Sequence, residues 1–248
     1  MNINAAEMDF QELNKNIREQ MAHASETPAC LTVTNCLGQR FMGCGLSDGT
    51  LIIDGVPGNA MGAYLNGAKI IVKGNAQDAA GDTMNDGVIY IHGSSGDATG
   101  YAMRGGKIFV KGNAGYRAGI HIKAYEDKFP VIVIGGCAGS FLGEYQAGGL
   151  ILVLGLNRDE QTPIVGYFCG TGMHGGKMVL RCSQPPADLP PQVSVEQASA
   201  EDIAQIRPYI EEYCKAFACC AADVLEHTFY VLTPDTSNPY KRLYCPNS

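Results

Sequence analysis

Short apolar runs recur along this chain at a fixed interval, and that recurrence restricts the available folds more than any other feature. The runs start at Leu31, Thr50, Lys69, Val88, Lys107, Val131, Leu150 and Lys177, in steps of 19 residues except for one of 24 and one of 27. The two long steps read as the same unit carrying insertions, at His121 to Phe129 and at Leu156 to Tyr167. A period of this size marks a stacked repeat, in which each unit buries its apolar face only against its neighbours.

Glycine keeps the same time. The chain has 31 glycines in 248 residues, nearly twice the usual share of roughly 7%. One slot follows each run (Gly55, Gly74, Gly93, Gly112, Gly136, Gly155), and seven residues later comes a second (Gly62, Gly81, Gly100, Gly119, Gly143), filled by Gly43 in the first unit and Gly170 in the last. Glycine at fixed offsets implies corners of positive φ, or windings stacked too closely for a Cβ.

The runs are too short and too β-branched for helices, as Ile70-Ile71-Val72 and Val131-Ile132-Val133-Ile134 show. Alternation assigns two columns inward, Thr32/Leu51/Ile70/Ile89/Ile108/Ile132/Ile151/Met178 and Thr34/Ile53/Val72/Ile91/Val110/Ile134/Val153/Leu180. A third inward ladder is Leu46, Leu65, Met84, Met103, Ile122 and Met173, with Gln146 its one polar rung. The region 29–183 is thus expected to be a parallel β-helix of about seven coils, a single-stranded solenoid and an all-β core. Between the inward columns lies Val33, Ile52, Ile71, Tyr90, Phe109, Val133, Leu152, Val179, apolar throughout although pleating points it outward. A bare strip of that length would exceed what soluble monomers expose, so either the chain's own ends or a partner must cover it.

The flanks read as caps. Phe10, Leu13, Ile17 and Met21 fall at helical spacing, giving an amphipathic helix from about Glu7 to Ala24 within an N-terminal cap, 1–28. Pro185, Pro186, Pro190 and Pro191 mark a linker, 184–198. In the C-terminal cap, 199–248, Ser199 with Asp202 resembles a helix start, Ile203, Ile206 and Ile210 form a stripe, and Pro208 is expected to kink or divide the helix. Phe229 to Leu232 and Tyr240 to Tyr244 read as extended.

The net charge of −7 and the absence of a Lys/Arg cluster argue against nucleic acid and anionic membrane. The acidic N-terminus suits neither a secretory nor a transit signal, no apolar stretch spans a bilayer, and ten cysteines are too dilute for a disulfide scaffold. A cytoplasmic protein with reduced thiols is expected. Gly170-Thr-Gly172-Met-His-Gly175 matches the dinucleotide fingerprint in letters, but a strand rather than a helix follows it, so it reads as a repeat corner. Cys214, Cys219 and Cys220 lack metal-site spacing. His23, His92, His121, His174 and His227 form no H-x-x-x-H pair, and His92 shares an outward, solvated slot with Asp54, Lys73, Lys111 and Arg181. No catalytic, cofactor or metal residue emerges. The candidate interface residues are Tyr90 and Phe109 on the outer strip, and His121, Lys123, Glu126 and Arg158 on the insertions, because solenoid insertions tend to build the functional face.

The blocks Gly55-Val-Pro-Gly-Asn-Ala-Met-Gly-Ala-Tyr64, Gly74-Asn-Ala-Gln-Asp78, Met84-Asn-Asp-Gly87, Gly100-Tyr-Ala-Met-Arg-Gly-Gly-Lys107 and Pro130-Val-Ile-Val-Ile-Gly-Gly136 resemble the GXGXG domain. That domain is the C-terminal β-helix of the glutamate synthase large (alpha) subunit, and a related β-helix forms the C-type subunit of formylmethanofuran dehydrogenase. The Glu201 to Lys215 helix and the Tyr240-Lys-Arg242 ending are similar to the glutamate synthase version. The resemblance implies a right-handed β-helix and a non-catalytic role, holding a glutaminase and an FMN- and iron-sulfur-containing synthase at a set distance. No glutaminase or flavin region is present on this chain, so those groups are expected on partner subunits of a split glutamate synthase, with none on this chain; a homo-oligomer is also compatible. The alternatives are a β-helix enzyme acting on carbohydrate or acyl groups, and a formylmethanofuran dehydrogenase C-type subunit.

Overall fold

A computed structural model describes residues 1–24, 28–156, 158–159 and 161–235; the expected Tyr240 to Tyr244 segment lies outside them. The elements run β1 (Asn2–Asn4), α1 (Phe10–Ala22), β2 (Cys30–Leu37), β3 (Thr50–Val56), β4 (Asn66–Val72), β5 (Asp86–Ile91), β6 (Lys107–Val110), β7 (Val131–Ile134), β8 (Ala147–Val153), β9 (Gly175–Arg181), β10 (Val193–Gln197), α2 (Ala200–Phe217), α3 (Ala221–Leu225) and β11 (Phe229–Pro234). One eleven-stranded sheet holds them in the order β1-β2-β3-β4-β5-β6-β7-β8-β9-β11-β10, parallel from β1 to β9. From β2 to β9 consecutive parallel strands lie side by side, and among the described residues no helix stands between them. The chain therefore returns to the same sheet after each unit by way of two short walls. One wall carries the second glycine slot; the other is a line of single bridges through Ala76, Ser95, Ala114, Ala138 and Val165.

The register follows the repeat from β3 onward: Leu51 pairs with Ile70, Ile70 with Ile89, Ile89 with Ile108, and the series continues to Met178, all without solvent exposure. In the first unit the expectation was one residue out. Leu31 and Val33, not Thr32 and Thr34, pair with Leu51 and Ile53 and are wholly buried. Asn35, at φ +58, is an extra residue bulged out between Thr34 and Cys36, after which the offset returns to 19. A one-residue slip exchanges faces, and burying Leu and Val in place of two threonines decides it. Both insertions fall where expected. The first closes on itself through reciprocal hydrogen bonds between Tyr125 and Lys128, and Ala138 bridges Val165 across the second.

The two glycine slots have different causes. In the second slot the backbone turns left-handed and its inward side meets the isoleucine ladder: Gly62 has φ +69, and a Cβ there would lie 2.8 Å from Ile89 Cδ1 and 3.2 Å from Ile70 Cδ1. In the first slot the neighbouring unit crosses over. Asn75 Oδ1 accepts from Ser94 N (2.8 Å), Ser94 Oγ from Asn113 N (3.0 Å), and Asn113 Oδ1 from Cys137 N (2.8 Å). A Cβ on Gly93, Gly112 or Gly136 would run into those acceptor atoms.

The outer apolar strip is covered along most of its length by α2. Ser199 caps that helix in a reciprocal box with Asp202, and Ile206, Ile210, Tyr213 and Phe217, at helical spacing, bury one face against Phe109, Val133, Leu152 and Val179. Polar clamps fix the docking. Lys177 donates to Asp202 (2.7 Å) and Gln205 (2.9 Å), Tyr90 Oη and Lys107 both reach Glu212, and Tyr213 Oη donates to the Lys111 carbonyl (3.1 Å). Pro208 does not divide this helix, which runs unbroken from Ala200 to Phe217. The region expected as a linker contains β10, which together with β11 continues the sheet antiparallel beyond β9. The opposite edge is extended by β1, and α1 packs against β2 with Leu13 and Ile17 buried. These additions protect strand edges that would otherwise be open to another chain.

Two outcomes test this account. Gly62→Ala combines left-handed strain with overpacking and should cost about 2–4 kcal/mol in urea denaturation. Asp202, held down from 3.8 to about 2 chiefly by its bond to Lys177 and then by Ser199, contributes stability above the unfolded value near 4, and that contribution fades as pH falls through 2. Asp202→Asn should therefore cost about 1 kcal/mol at pH 7, with the difference from wild type shrinking toward pH 2.

Candidate interaction surface

Each second-slot glycine is the middle of three alternating left-handed residues. The flanking members are Phe41 and Gly45, Ala60 and Tyr64, Ala79 and Thr83, Ala98 and Ala102, Arg117 and His121, Phe141 and Tyr145, and Phe168 and Gly172. Hydrogen bonds explain the alternation. Ala60 N donates forward to Asp78 O, Gly62 N backward to Met42 O, and Tyr64 N forward to Asp82 O, so each corner is tied to the units on both sides. The residue between, such as Met61 or Leu142, points into the core and is wholly buried. Most of the flanking side chains lie at the surface in two rows, one on each side of the glycines, which together form a column along the stack.

Those positions carry small side chains at Ala60, Ala79, Thr83, Ala98 and Ala102, and aromatic or cationic ones at Phe41, Tyr64, Arg117, His121, Phe141, Tyr145 and Phe168. A left-handed L-residue costs roughly 1–2 kcal/mol relative to glycine, yet Phe41, Tyr64, Phe141, Tyr145 and Phe168 all adopt it. The rings stack along the column: His121 on Tyr145 at 5.1 Å and 10°, Phe141 on Phe168 at 4.9 Å and 22°, with Tyr101 edge-on to His121 at 6.0 Å. Arg117 lies 4.8 Å over Phe141 and pairs with Glu144 at 3.0 Å. Tyr64, Tyr116, Tyr167 and Phe168 stay exposed by half or more. Stacked rings on left-handed backbone, exposed at His121 and Phe168 and partly buried at Phe141 and Tyr145, make this the candidate recognition surface.

The structure distributes the sequence-derived candidates unevenly. His121 belongs to the column. Lys123 and Glu126 are exposed on the adjoining insertion, beside exposed Tyr125 and Phe129. Phe109 is a correction: it has no exposure beneath α2, because the chain covers its own strip. Tyr90 is half-buried there, and burial, then the bond from its hydroxyl to Glu212, raise its pKa. Neither side chain is free for a partner. His92 is likewise no solvated side chain; it sits edge-on to Phe217 at 5.0 Å, and burial and Lys111 lower its pKa. Arg158 lies in a separate cleft with Arg181 and His227. The aromatic column went unread in the sequence, although a signal was present: Gly45 and Gly172 occupy the slot filled elsewhere by Tyr64, His121 and Tyr145, revealing its left-handed geometry.

The free thiols divide by burial, with Cys30, Cys219 and Cys220 exposed. Burial raises the Cys36 thiol to about 11 and Cys169 and Cys214 to about 12. Among the described residues, no group of three or more His, Cys, Asp or Glu side chains could hold a metal ion, and no helix is long and apolar enough to cross a membrane. Gly170 and Gly172 form a corner leading into β9, so the fingerprint-like segment has no helix to receive a pyrophosphate.

Comparison with known proteins agrees with this architecture. The family described as GXGXG motif matches residues 6–234. The uncharacterized protein MJ1350 of Methanocaldococcus jannaschii is 42% identical over 252 residues, covering 99% of this chain and 96% of its own length. Among solved structures, a chain of the formyltransferase/hydrolase complex FhcABCD of Methylorubrum extorquens, crystallised with methylofuran, superposes with a TM-score of 0.61 at 21% identity, over 83% of this chain and 73% of that one. At that identity the likeness concerns the fold.

Phe168→Gly isolates the role of the column. It relieves about 1 kcal/mol of backbone strain and removes an exposed stacked pair of about 0.5–1.5 kcal/mol. Stability measured in urea should change by less than about 1 kcal/mol; a larger loss would make the ring a folding residue instead.

Proposed function

The chain belongs to the GXGXG motif family, and from that premise we propose that it is a non-catalytic assembly component of a cytoplasmic multi-chain enzyme complex, docking its partners on the aromatic column. The single observation that carries this reading is the stacked column His121, Tyr145, Phe141 and Phe168, held outward at a cost in backbone strain. The self-covered apolar strip supports it, since α2 already occupies that face of the sheet. The winding proposed is a right-handed parallel β-helix of about seven coils, in keeping with the handedness of parallel crossovers.

Two kinds of complex suit such a component. The formylmethanofuran dehydrogenase C-type reading is favoured by the superposition on a chain of a multi-subunit formyltransferase/hydrolase complex. The glutamate synthase-type reading, with glutaminase and FMN-dependent synthase partners and with flavin and iron-sulfur groups carried by those partners, is favoured by the resemblance of the Gly55 to Gly136 blocks and the Glu201 to Lys215 helix. Affinity purification of the tagged chain from its native cells, followed by identification of companions and an absorption spectrum, separates them. Flavin and iron-sulfur bands accompanying glutaminase and synthase chains indicate the second; formyl-transfer or hydrolase chains indicate the first. The double variant Tyr145→Ala/Phe168→Ala should lose the companions at least tenfold while staying folded. Purification of the wild type as a lone polypeptide would overturn the assembly role.

A further inference from the structure

The second insertion brings Arg158 to a cleft that the assembly role does not use. The cleft, of about 550 Å3, is lined among others by Gly155, Arg158, Arg181, Ser183 and Thr228. Arg181 reaches it from the end of β9, anchored by Nε on the Val224 carbonyl (3.2 Å) and Nη1 on the Leu154 carbonyl (3.1 Å). Arg158 folds back over Gly155, where a Cβ would come within 3.1 Å of its Cδ and Nε, and its Nη1 donates to the Thr162 carbonyl at 2.8 Å. Both guanidiniums are thus oriented by backbone carbonyls, and Asp159, its carboxyl held down chiefly by its bonds to Thr162, lies near enough to Arg158 for that charge to hold it down in part. Among the described residues neither forms an ion pair, and the nearest carboxylate in sequence, Asp159, spends its Oδ1 on Gln161 and Thr162. Burial, and then Arg158, press on the charge of Arg181. In a chain of net charge −7, two like charges converging on one concavity call for an anion.

We infer that this cleft binds a phosphate group, with Arg158 and Arg181 as the charged clamp and Ser183 and Thr228 as hydroxyl donors. Two guanidiniums match a dianion, whereas a single carboxylate would leave one charge over. The volume exceeds that of free phosphate and accommodates a small phosphorylated metabolite. None of the aromatic corner residues lines the cleft, so this inference stands apart from the assembly reading.

Isothermal titration of the full chain with inorganic phosphate, ribose 5-phosphate and acetate at low salt tests it. Saturable 1:1 phosphate binding is expected, weakened at least tenfold by Arg158→Gln and by Arg181→Gln, with acetate binding at least tenfold more weakly. Tighter binding of ribose 5-phosphate identifies a phosphomonoester as the ligand; equal binding identifies phosphate itself. Arg158→Gln lies in a surface insertion and decides the matter should Arg181→Gln fail to fold. Absence of saturable phosphate binding, acetate equal to phosphate, or affinity unchanged in Arg158→Gln would overturn the site.

Discussion

Register between successive units governs this molecule. A stack of parallel strands has no side-chain code along its axis except the identity of equivalent positions, so every unit must present the same atoms at the same height. Two glycine slots enforce that height in opposite ways. Gly62 and its equivalents let the corner press against the isoleucine ladder, while Gly93, Gly112 and Gly136 leave room for the preceding unit's Asn or Ser to cap a backbone N–H of the next. Interior packing and corner hydrogen bonding then reinforce one spacing. The extra residue Asn35 is expelled as a bulge rather than passed along the stack.

That constraint explains which parts of the structure were legible in the sequence. Repetition averages over local ambiguity: Ile70 alone could belong to a helix or a strand, but Leu51, Ile70, Ile89 and Ile108 at one offset admit only a ladder. The insertions were readable for the same reason, as departures from a known step. The first unit was misread because its neighbour on one side is the N-terminal β1 rather than another repeat, and because a period count cannot distinguish a bulge from a shifted start. Leu31 and Val33 against Thr32 and Thr34 would have resolved it by hydrophobicity. The caps lie outside the repeat and were only partly readable. Ser199 and Asp202 announce α2 through a local hydrogen-bond pattern, whereas β10 has only Val193 and Val195 amid polar neighbours and depends on β11, which lies more than thirty residues further on, to become a strand.

The candidate surface illustrates a different limit. Apolar residues on an outward strand position suggest an interface, yet α2 supplies Ile206, Ile210, Tyr213 and Phe217 to that same strip. Sequence shows that two apolar faces exist without showing that they face each other. The corner aromatics escaped notice because they are scattered singly through glycine-rich segments, each unremarkable alone. Only the 19-residue winding aligns Tyr101, His121 and Tyr145 into a stack, which makes the surface a property of register.

Strain and exposure pull in the same direction at those corners. Glycine would relieve the left-handed backbone and remove an apolar ring from water, and Gly45 and Gly172 show that the fold accepts it at equivalent positions. The Phe168 ring, more than half exposed, is stabilised little by burial and not at all by backbone preference, and the stacking it gains with Phe141 is of the same order as the strain it incurs. Its energetic justification must therefore come from contacts the isolated chain does not make. A rigid stack whose units are tied front and back by Ala60, Gly62 and Tyr64 hydrogen bonds presents such rings with little conformational entropy left to lose on docking, which favours a partner that lies along several windings over one that contacts a single loop.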